Sequence, residues 1–372
     1  MRGRVGAPGR RLPSSRAACT YFDLEFEDRA GTARWQDIPT PALQAILDYQ
    51  EFEPAVCEVA YVMIGRTLYE VGERDGWQVI PFFKGQAASG KSTIVLKVCA
   101  EFFDRCDVGI LSNNIEKKFG LSAFHDKLLF VGPEVKRDLA LEQAEFQSMV
   151  SGEDVQVNIK HVRAKAVQWR VPGALAGNEV PNWCDNASSI VRRIVLFQFD
   201  RSVVQQDSQL GAKLHAEMPS ILQKCNRAYL DWARRFGGQN LWNHLPAYFK
   251  RQQDSLRQAT NSLEAFLSSG KLRFGAELYM PLALFNRMYT ERCRQAGLTK
   301  RSLTRQVRDG TFPRYAVRYI ETVVAKPYGP HSDHFPAQWV YGVDMSKHWP
   351  PRIEVAAPAA PILRQFVGEE FV

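Results

Sequence analysis

One nine-residue stretch combines glycines, a lysine and a hydroxyl side chain at the spacing that phosphate binding requires. It fits the pattern G-x-x-x-x-G-K-S/T, in which glycines let backbone N–H groups face phosphate oxygens and a helix N-terminus follows. We predict that Lys91 reaches the β- and γ-phosphates of a nucleoside triphosphate and that Ser92 binds Mg²⁺. The predicted cofactor-binding residues of this phosphate-binding loop (P-loop) are Gly85, Gln86, Ala87, Ala88, Ser89, Gly90, Lys91, Ser92 and Thr93.

Further polar positions fit the other demands of phosphoanhydride hydrolysis. The reaction needs a carboxylate that orients water, a polar contact to the γ-phosphate and a cation that stabilises the transition state. Glu134 ends one apolar run, Asn178 ends another, and Arg192 and Arg193 precede a third. Each has an ordinary alternative, because acids often follow strands, Asn often forms turns and paired arginines are often solvated. Their order after the P-loop favours a catalytic series of Lys91, Glu134, Asn178 and the arginines.

These side chains need a sheet that brings strand ends together. Strand-like apolar runs at 77–83, 127–132, 171–177 and 194–199 alternate with helix-like stretches, and Ile94, Val95, Val98 and Phe102 have helical spacing. The alternation predicts an α/β core with a mostly parallel sheet. In such sheets ligands bind at the carboxyl ends of the strands, which is where Glu134 and Asn178 would lie.

The chain is long enough for two or three domains. We predict a P-loop ATPase core preceded by a small helical domain and followed by a helical region and a winged-helix-like domain. The predicted segments are a disordered basic tail (1–19), a small helical domain (20–75), the core (76–205), a helical region (206–268), a winged-helix-like basic domain (269–348) and a C-terminal tail (349–372). The basic N-terminal stretch also permits an organelle transit peptide.

The region after Lys271 is sharply basic. Helix-like stretches at 281–296 and 300–309, with strands at 315–324 and 338–343 that could pair as a wing, suggest a winged helix-turn-helix. The second helix would then place Arg301, Arg305 and Arg308 against nucleic acid. A solvated basic face of a structural domain is the alternative.

Composition is consistent with a polyanion-binding protein in a reducing compartment. The 372 residues carry a net charge of +8 and a pI near 9.1, which favours nucleic acid without proving it. Seven cysteines include no C-x-x-C pair, so neither a disulfide framework nor a zinc site is expected. No run approaches the 18 apolar residues of a membrane span, and we expect a soluble intracellular protein with no membrane partner.

Five segments, GQAASGKST, LLFVGPE, FQSMVSGEDVQVNIKH, VPGALAGNEVP and SSIVRRIVLFQF, together resemble the superfamily 3 helicases. The similarity is to the helicase part of the primase-helicases of poxvirus-like large DNA viruses and related phages. It runs from about residue 43 to 201 and more loosely to about 345. The combination of the P-loop with SGEDVQV and GNEVP is specific, whereas the P-loop alone is shared by many families.

The resemblance implies an AAA+-type hexameric ring that moves along DNA, with ATP and Mg²⁺ between subunits. It makes Ser92 and Glu134 the Mg²⁺ residues, Glu134 the catalytic acid, Asn178 the sensor and Arg192 or Arg193 a finger acting on the neighbouring subunit. The hairpin-like segment 155–165 would grip DNA through Lys160, His161, Arg163 and Lys165, whose cations can neutralise backbone phosphates. His161 could instead pack beside the sheet.

Two departures from the family pattern stand out. Many members have two adjacent acids after the second strand, whereas Pro133 precedes Glu134 here. Glu142, Glu145 and Glu153 are conceivable substitutes, and Glu153 could instead brace the hairpin. The P-loop is preceded by 84 residues, so we expect any priming to come from a separate primase or polymerase.

The sequence therefore predicts an ATP-dependent DNA helicase that forms a homo-hexameric ring on single-stranded or forked DNA. It would serve replication of a viral or virus-like genome at a replication site in the host cytoplasm or nucleus. The alternatives are an ATP-switched nucleic-acid-binding factor for origin loading or packaging, and a degenerate viral remnant. RNA unwinding stays open, because nothing in the basic hairpin distinguishes a 2′-hydroxyl.

Overall fold

The computed structural model describes residues 34–115, 120–157, 165–181, 183, 189–260, 262–296, 300, 302–325 and 334–345. The chain forms two compact units, residues 1–256 (unit 1) and 257–372 (unit 2). The predicted tails, 1–19 and 349–372, lie outside the described residues. Among those described, no helix has both the length and the hydrophobicity that crossing a bilayer needs.

Unit 1 is built on a five-stranded sheet in which all neighbouring strands are parallel. The strands of unit 1 are β1 (Ile80–Gly85), β2 (Val108–Ile110), β3 (Leu129–Val135), β4 (Asp154–Val157), β5 (Lys165–Gln168), β6 (Gly173–Gly177) and β7 (Ile194–Phe199). The order across the sheet is β2-β3-β6-β1-β7. The predicted α/β core with a mostly parallel sheet is confirmed, and β2, which is too short to give an apolar run, was not predicted.

Helices cover both faces of this sheet. They are α1 (Pro41–Tyr49), α2 (Pro54–Arg66), α3 (Lys91–Ile94), α4 (Gln143–Ser151), α5 (Leu210–Phe236) and α6 (Ala247–Thr260). Proline stands at the first helical position of α1 and α2, where its missing N–H costs nothing. The α3 helix continues as a π turn, Val95–Cys99, and a 3₁₀ turn, Ala100–Phe102.

The double coverage explains the uninterrupted apolar sequence of β1. Phe82 and Phe83 point to opposite faces, and both are fully buried. Phe83 lies in one core with residues of α1, α2 and α5, and Phe82 lies in a second core with residues of α4. Parallel strands buried on both faces read as continuous apolar runs rather than alternating ones.

The strand predicted from residue 77 begins at Ile80 instead. The buried Arg66 side chain donates to the carbonyl oxygens of Trp77 and Val79 and forms an ion pair with Asp75 at 2.9 Å. Asp75 also accepts from the Tyr229 hydroxyl. The carbonyl oxygens of Trp77 and Val79 therefore bond to Arg66 rather than to a neighbouring strand, and β1 begins only at Ile80.

A two-stranded antiparallel hairpin, β4 and β5, follows α4. β4 lies at the start of the hairpin-like segment predicted for 155–165, whereas β5 begins only at its last residue. Glu153 braces its base, because the Glu153 carboxylate accepts from Ser148 Oγ at 3.1 Å and the Glu153 carbonyl accepts from Trp169 N at 3.0 Å. The tip, residues 158–164, lies outside the described residues.

Unit 2 contains a three-stranded antiparallel sheet and a separate apolar core. Its elements are α7 (Ser262–Leu267), β8 (Leu272–Pro281), α8 (Leu282–Gln295), α9 (Arg305–Thr311), β9 (Arg318–Ala325) and β10 (His334–Met345). The order across the sheet is β8-β10-β9. The predicted pairing of the last two strands is present, whereas β8 was not predicted.

The helix predicted for 300–309 begins later, at Arg305. Thr304 caps it by accepting a hydrogen bond from the Val307 N–H at 3.3 Å. A threonine cap satisfies one of the amides that a helix start leaves unpaired. The winged-helix assignment of this unit stays a prediction.

Candidate nucleotide-binding site

The P-loop connects the end of β1 to the start of α3. Two of its residues have left-handed backbone conformations, Ala88 with φ of 56° and Gly90 with φ of 91°. Such conformations turn successive N–H groups toward one side and create a concave site for anions. Gly90 is the residue type that adopts a positive φ without strain.

The carbonyl groups of the loop are held by the protein, and its amides are not. Val203 N–H donates to Ala88 O at 2.7 Å, and the Ser202 hydroxyl donates to Ala87 O at 3.2 Å. Among the described residues, the backbone N–H groups of 86–92 donate to no protein acceptor. The loop therefore presents unpaired donors, which is the donor set that a phosphate chain needs.

Gln50, directly after α1, links the P-loop to the backbone at Arg201. Its side-chain amide donates to Ser89 O at 3.0 Å and to Arg201 O at 2.8 Å, and its oxygen accepts from Arg201 N–H at 2.9 Å. Gln50 is buried. Sequence reasoning missed it because a glutamine at a helix end has no local signal, and its partners are about 40 and 150 residues away.

Lys91 and Ser92 stand at the first turn of α3. The Lys91 ammonium donates to Gln86 O at 2.7 Å, within its own loop, and the residue is buried. Burial lowers the pKa of Lys91, and the negative charge of Glu134 opposes that shift. The Ser92 hydroxyl donates to Pro133 O at 3.0 Å, so it points toward the end of β3.

Glu134 is exposed at the end of β3, where the ladder to β6 is irregular. The register shifts between Gly132 and Val135. Pro133 lacks an N–H and cannot donate to a ladder, which accounts for a bulge at this point. The Pro133 carbonyl accepts the hydrogen bond from Ser92 Oγ, so the irregular strand end contacts the start of α3.

Asn113 holds the backbone on both sides of this end. Its amide donates to Glu134 O, and its oxygen accepts from Lys136 N–H, both at 2.7 Å. Sequence reasoning also missed this residue, since it lies about 20 residues from its partners in a segment with no motif. The bracing fixes the backbone that carries the Glu134 carboxylate.

Asn178 follows β6, the strand between the other two. Gly177, the residue before it, is in register with Lys84 of β1 and with Val135 of β3. Asn178 is exposed. The strand order thus brings the P-loop, Asn178 and Glu134 to the same edge, as the sequence predicted for the carboxyl ends of parallel strands.

The two arginines lie at the amino ends of the parallel strands, opposite the carboxyl ends that carry the P-loop. They belong to a 3₁₀ turn, Val191–Arg193, that precedes β7, and β7 runs parallel to β1 with Ile194 opposite Ile80. The six residues of β7 span about 20 Å, which separates the arginines from the P-loop of the same chain. Arg192 is exposed, whereas Arg193 is 4% exposed and donates to Ser151 Oγ and Ser189 O.

The predicted nucleic-acid contacts are only partly described. Lys160, His161, Arg163 and Arg301 lie outside the described residues, and Lys165 is described only as the first residue of β5. Arg305 is exposed and forms an ion pair with Asp309 at 3.5 Å. The Arg308 guanidinium lies 3.6 Å from the centroid of the Tyr319 ring.

The residues at the carboxyl edge fit a nucleotide better than a free metal ion. Among the described residues, no group of three or more His, Cys, Asp or Glu side chains could hold a metal. The described cysteines, Cys57, Cys99, Cys106, Cys225 and Cys293, are free thiols. Ser92 and Glu134 supply side-chain oxygen atoms that a cation shared with phosphate would use.

Comparisons with known proteins give a partial family match and distant structural similarity. Residues 83–193 match a family described as a family of unknown function (DUF5906), and no curated protein matches the chain. An apo A-form structure of the NrS-1 C-terminal region is 12% identical, with a TM-score of 0.44, covering 82% of this chain and 76% of that one. A second structure of that region, 305–718, is 13% identical, with a TM-score of 0.43, covering 82% and 75%.

A structure of JCV helicase bound to an acetamide compound is 14% identical to this chain. Its TM-score is 0.31, and the match covers 64% of this chain and 67% of that one. All three TM-scores lie below 0.5, so we base no functional conclusion on them.

Proposed function

We propose that this protein is an ATP-dependent DNA helicase that forms a ring and moves along single-stranded DNA. The observation that carries the proposal is the convergence of the P-loop, Asn178 and Glu134 at one edge of a parallel sheet, with β6 between β1 and β3. Lys91, Glu134 and Asn178 are each separated from the next by about 45 residues of sequence. They lie together at the carboxyl ends of the strands, where nucleotides bind in such sheets.

The chain's own residues divide the work of ATP hydrolysis. The unpaired amides of 86–92 bind the phosphate chain, and Lys91 exchanges its bond to Gln86 O for phosphate oxygens. Glu134, with its backbone braced by Asn113, orients the attacking water and accepts its proton at the carboxylate. Asn178, between the two, contacts the γ-phosphate and the water.

ATP and Mg²⁺ fit the donor set described above. Ser92 and Glu134 are the residues that would hold Mg²⁺, which neutralises charge on the β- and γ-phosphates when it is bound. The Ser92 hydroxyl already points to the end of β3. Among the described residues of β3, Glu134 is the one carboxylate, and Pro133 stands where the resemblance places a second acid.

The position of the arginines supports a ring. A guanidinium at the far edge of the sheet cannot reach the nucleotide of its own chain, so a finger at this position serves a neighbouring subunit. Arg192 is the better candidate because its side chain is exposed, whereas Arg193 is committed to hydrogen bonds within the protein. We assign the finger to Arg192 and a positioning role to Arg193.

The remaining parts of the proposal rest on the sequence resemblance. These are the hexamer, DNA contacts through the β4–β5 hairpin, work at an intracellular viral or virus-like replication site, and cooperation with a separate primase or polymerase. The net charge of +8 is compatible with DNA as the polymer.

The test is ATP hydrolysis by the purified chain, with and without single-stranded DNA, over a series of protein concentrations. We expect DNA-stimulated turnover that rises more than linearly with protein, because each site needs two subunits. Lys91→Ala should abolish turnover. The matched control is Lys97→Ala, since Lys97 lies on the same helical segment but is exposed and paired with Glu101. Absent turnover in folded parent protein would reject the proposal.

A second candidate is an ATP-switched nucleic-acid-binding factor without unwinding activity. Pro133 favours it, because a site with one carboxylate fewer would turn over slowly and hold ATP for longer. A forked-DNA displacement assay separates the two candidates. Strand separation supports the helicase, whereas ATP-dependent binding without separation supports the switch.

A further inference from the structure

From the outer face of the unit 2 sheet, we infer that β8, β10 and β9 form a second nucleic-acid site, a platform on which bases of single-stranded nucleic acid stack. This site consists of unit 2 residues and includes none of the residues of the nucleotide edge or of the β4–β5 hairpin. Its aromatic residues lie on the sheet and not on helix α9, where the sequence predicted the nucleic-acid contacts. The inference goes beyond the proposed function, since binding here needs no ATP hydrolysis.

The strand register sorts the residues of this sheet onto two faces. Directly opposed residues of antiparallel strands share a face. Tyr319, Val340 and Met280 form one row across the three strands, and Val340 and Met280 are buried. That row therefore marks the packed face.

The neighbouring rows point the other way, because side chains alternate along a strand. One row is Arg318, Tyr341 and Tyr279, and the other is Ile320, Trp339 and Pro281. None of these six side chains is buried, and Tyr279 is 44% exposed. We call them the outer rows. They place three aromatic rings on one solvent-facing surface.

The three rings hold each other in place. Tyr279 and Tyr341 are stacked with their centroids 5.5 Å apart, and Tyr279 meets Trp339 edge to face at 5.8 Å. A ring fixed by its neighbours loses little conformational entropy when a ligand binds. Rings that keep a face in water suit stacking with bases, and Tyr and Trp keep polar edges for the solvent.

The positive charge of unit 2 favours nucleic acid as the ligand of this face. Residues 257–372 contain sixteen Lys and Arg against ten Asp and Glu, so most of the net charge of +8 lies in unit 2. Arg318, in the row of the two tyrosines, is exposed and forms no ion pair with any residue that the structure describes. A second copy of the chain would bring the same excess of positive charge, which disfavours self-association through this face.

A concavity beside the platform supplies a path for phosphates. It has a volume of about 430 Å³ and is lined by Arg305, Arg308, Asp309 and Arg318 among others. Arg305 pairs with Asp309 and Arg308 covers Tyr319, so Arg318 is the cation through which a phosphate would be contacted. Arg318 thus belongs both to an outer row and to this concavity. A single-stranded nucleic acid whose bases stack on Tyr279 and Tyr341 would place its phosphate backbone beside Arg318 and this concavity.

The experiment measures binding of a fluorescein-labelled oligothymidylate by anisotropy. The protein is the full chain carrying Lys91→Ala, without nucleotide, so that a failure of the ATPase proposal does not affect the result. We expect Tyr279→Ala and Tyr341→Ala each to weaken binding by about tenfold or more. Tyr279→Phe, which keeps the ring, should bind within about twofold of the parent. Ultraviolet crosslinking should attach the oligonucleotide to peptides of β8 and β10.

Three further variants make the test specific. Tyr279→Leu keeps an apolar side chain but removes the π face, so we expect it to bind as weakly as Tyr279→Ala. Phe274→Ala is the matched control, because Phe274 is an equally exposed aromatic residue of β8 outside the outer rows. Arg318→Gln should lower the salt slope of binding by about 0.7.

Three results would overturn the inference. One is unchanged affinity in folded Tyr279→Ala and Tyr341→Ala proteins. Another is full binding by Tyr279→Leu, which would indicate apolar docking rather than stacking. The third is a parent protein that self-associates in light scattering and a Tyr279→Ala protein that does not, which would make this face a subunit contact. If the alanine variants do not fold, the Phe and Leu variants decide the question.

Discussion

The carboxyl edge of the unit 1 sheet and the helix α9 region of unit 2 both gather groups suited to anions, and they use them differently. At the P-loop, the carbonyl groups accept hydrogen bonds from Gln50 and from residues 202 and 203. The amides of 86–92 have no acceptor among the described residues. Near α9, Arg305 pairs with Asp309, and Arg308 covers Tyr319. The first region has donors available to a ligand, and the second uses much of its charge internally.

The difference teaches that the number of cations in a region is a weaker guide to a binding site than the number of donors that have no partner within the protein. A paired arginine must give up its partner before it contacts phosphate, and an unpaired amide gives up only water. We therefore expect substitutions at the P-loop edge to change function at constant stability. Substitutions at the α9 arginines should have smaller effects, on stability at Arg308 and on the salt dependence of binding at Arg305.

Glu134→Gln gives the largest expected effect. Without the carboxylate that orients water, ATP turnover should fall by about 10³-fold or more, while ATP binding and melting temperature stay unchanged because the side chain is exposed. Steady-state hydrolysis, nucleotide binding and thermal melting check this, with Glu101→Gln as control. Normal hydrolysis in Glu134→Gln would move the water-orienting role to another residue.

The two arginines should separate function from stability. Arg192→Ala should spare nucleotide binding and folding but lower turnover by about 10³-fold, as the loss of a finger does. Arg193→Ala should destabilise the protein by about 2 kcal/mol or more, because it removes buried charge-assisted hydrogen bonds to Ser151 and Ser189. Urea unfolding and turnover, measured on both variants, distinguish the roles. An Arg192→Ala protein that hydrolyses ATP normally would contradict a finger at this residue.

Gln50→Ala tests whether the loop is held from behind. The substitution leaves Ser89 O and the backbone N–H and carbonyl of Arg201 without their partner, so we expect KM for ATP to rise by about tenfold as the loop loses its fixed geometry. Gln44→Ala is the control, since Gln44 lies on α1, the helix that Gln50 follows, and bonds to Tyr61 rather than to the loop. It should destabilise the protein without raising KM. Equal KM values for the two variants would show that Gln50 acts only on stability.

The arginines of α9 should give the smallest effects. Arg308→Gln should lower stability by about 0.5–1 kcal/mol through loss of the contact with Tyr319. Arg305→Gln should leave melting unchanged, because its ion pair is exposed. If Arg305 contacts duplex phosphate as the winged-helix prediction has it, the salt slope of binding falls by about 0.9 in this variant. An unaltered slope would remove Arg305 from the interface.

Local patterns made much of the nucleotide edge predictable. The P-loop is a nine-residue motif whose conformation follows from its own glycines, and Glu134 and Asn178 end apolar runs that the parallel sheet then aligns. Element ends were less predictable, because distant side chains set them. Arg66 delays the start of β1 by holding the carbonyl oxygens of Trp77 and Val79.

The strand β8 shows what escapes sequence reading. Its residues are mostly exposed, so no apolar run marks it. Only its pairing with β10 reveals the outer rows, which combine residues about 20 to 60 positions apart in the chain. No spacing rule connects Tyr279 with Tyr341.

The sequence by itself determined the phosphate-binding loop, the α/β class and the concentration of positive charge in the last third of the chain, because each depends on neighbouring residues or on composition. Only the tertiary structure decided that β6 lies between β1 and β3, that Gln50 and Asn113 brace the site, and that Arg193 is buried while Arg192 is exposed. These outcomes depend on hydrogen bonds and packing between residues far apart in the chain, which no local pattern encodes.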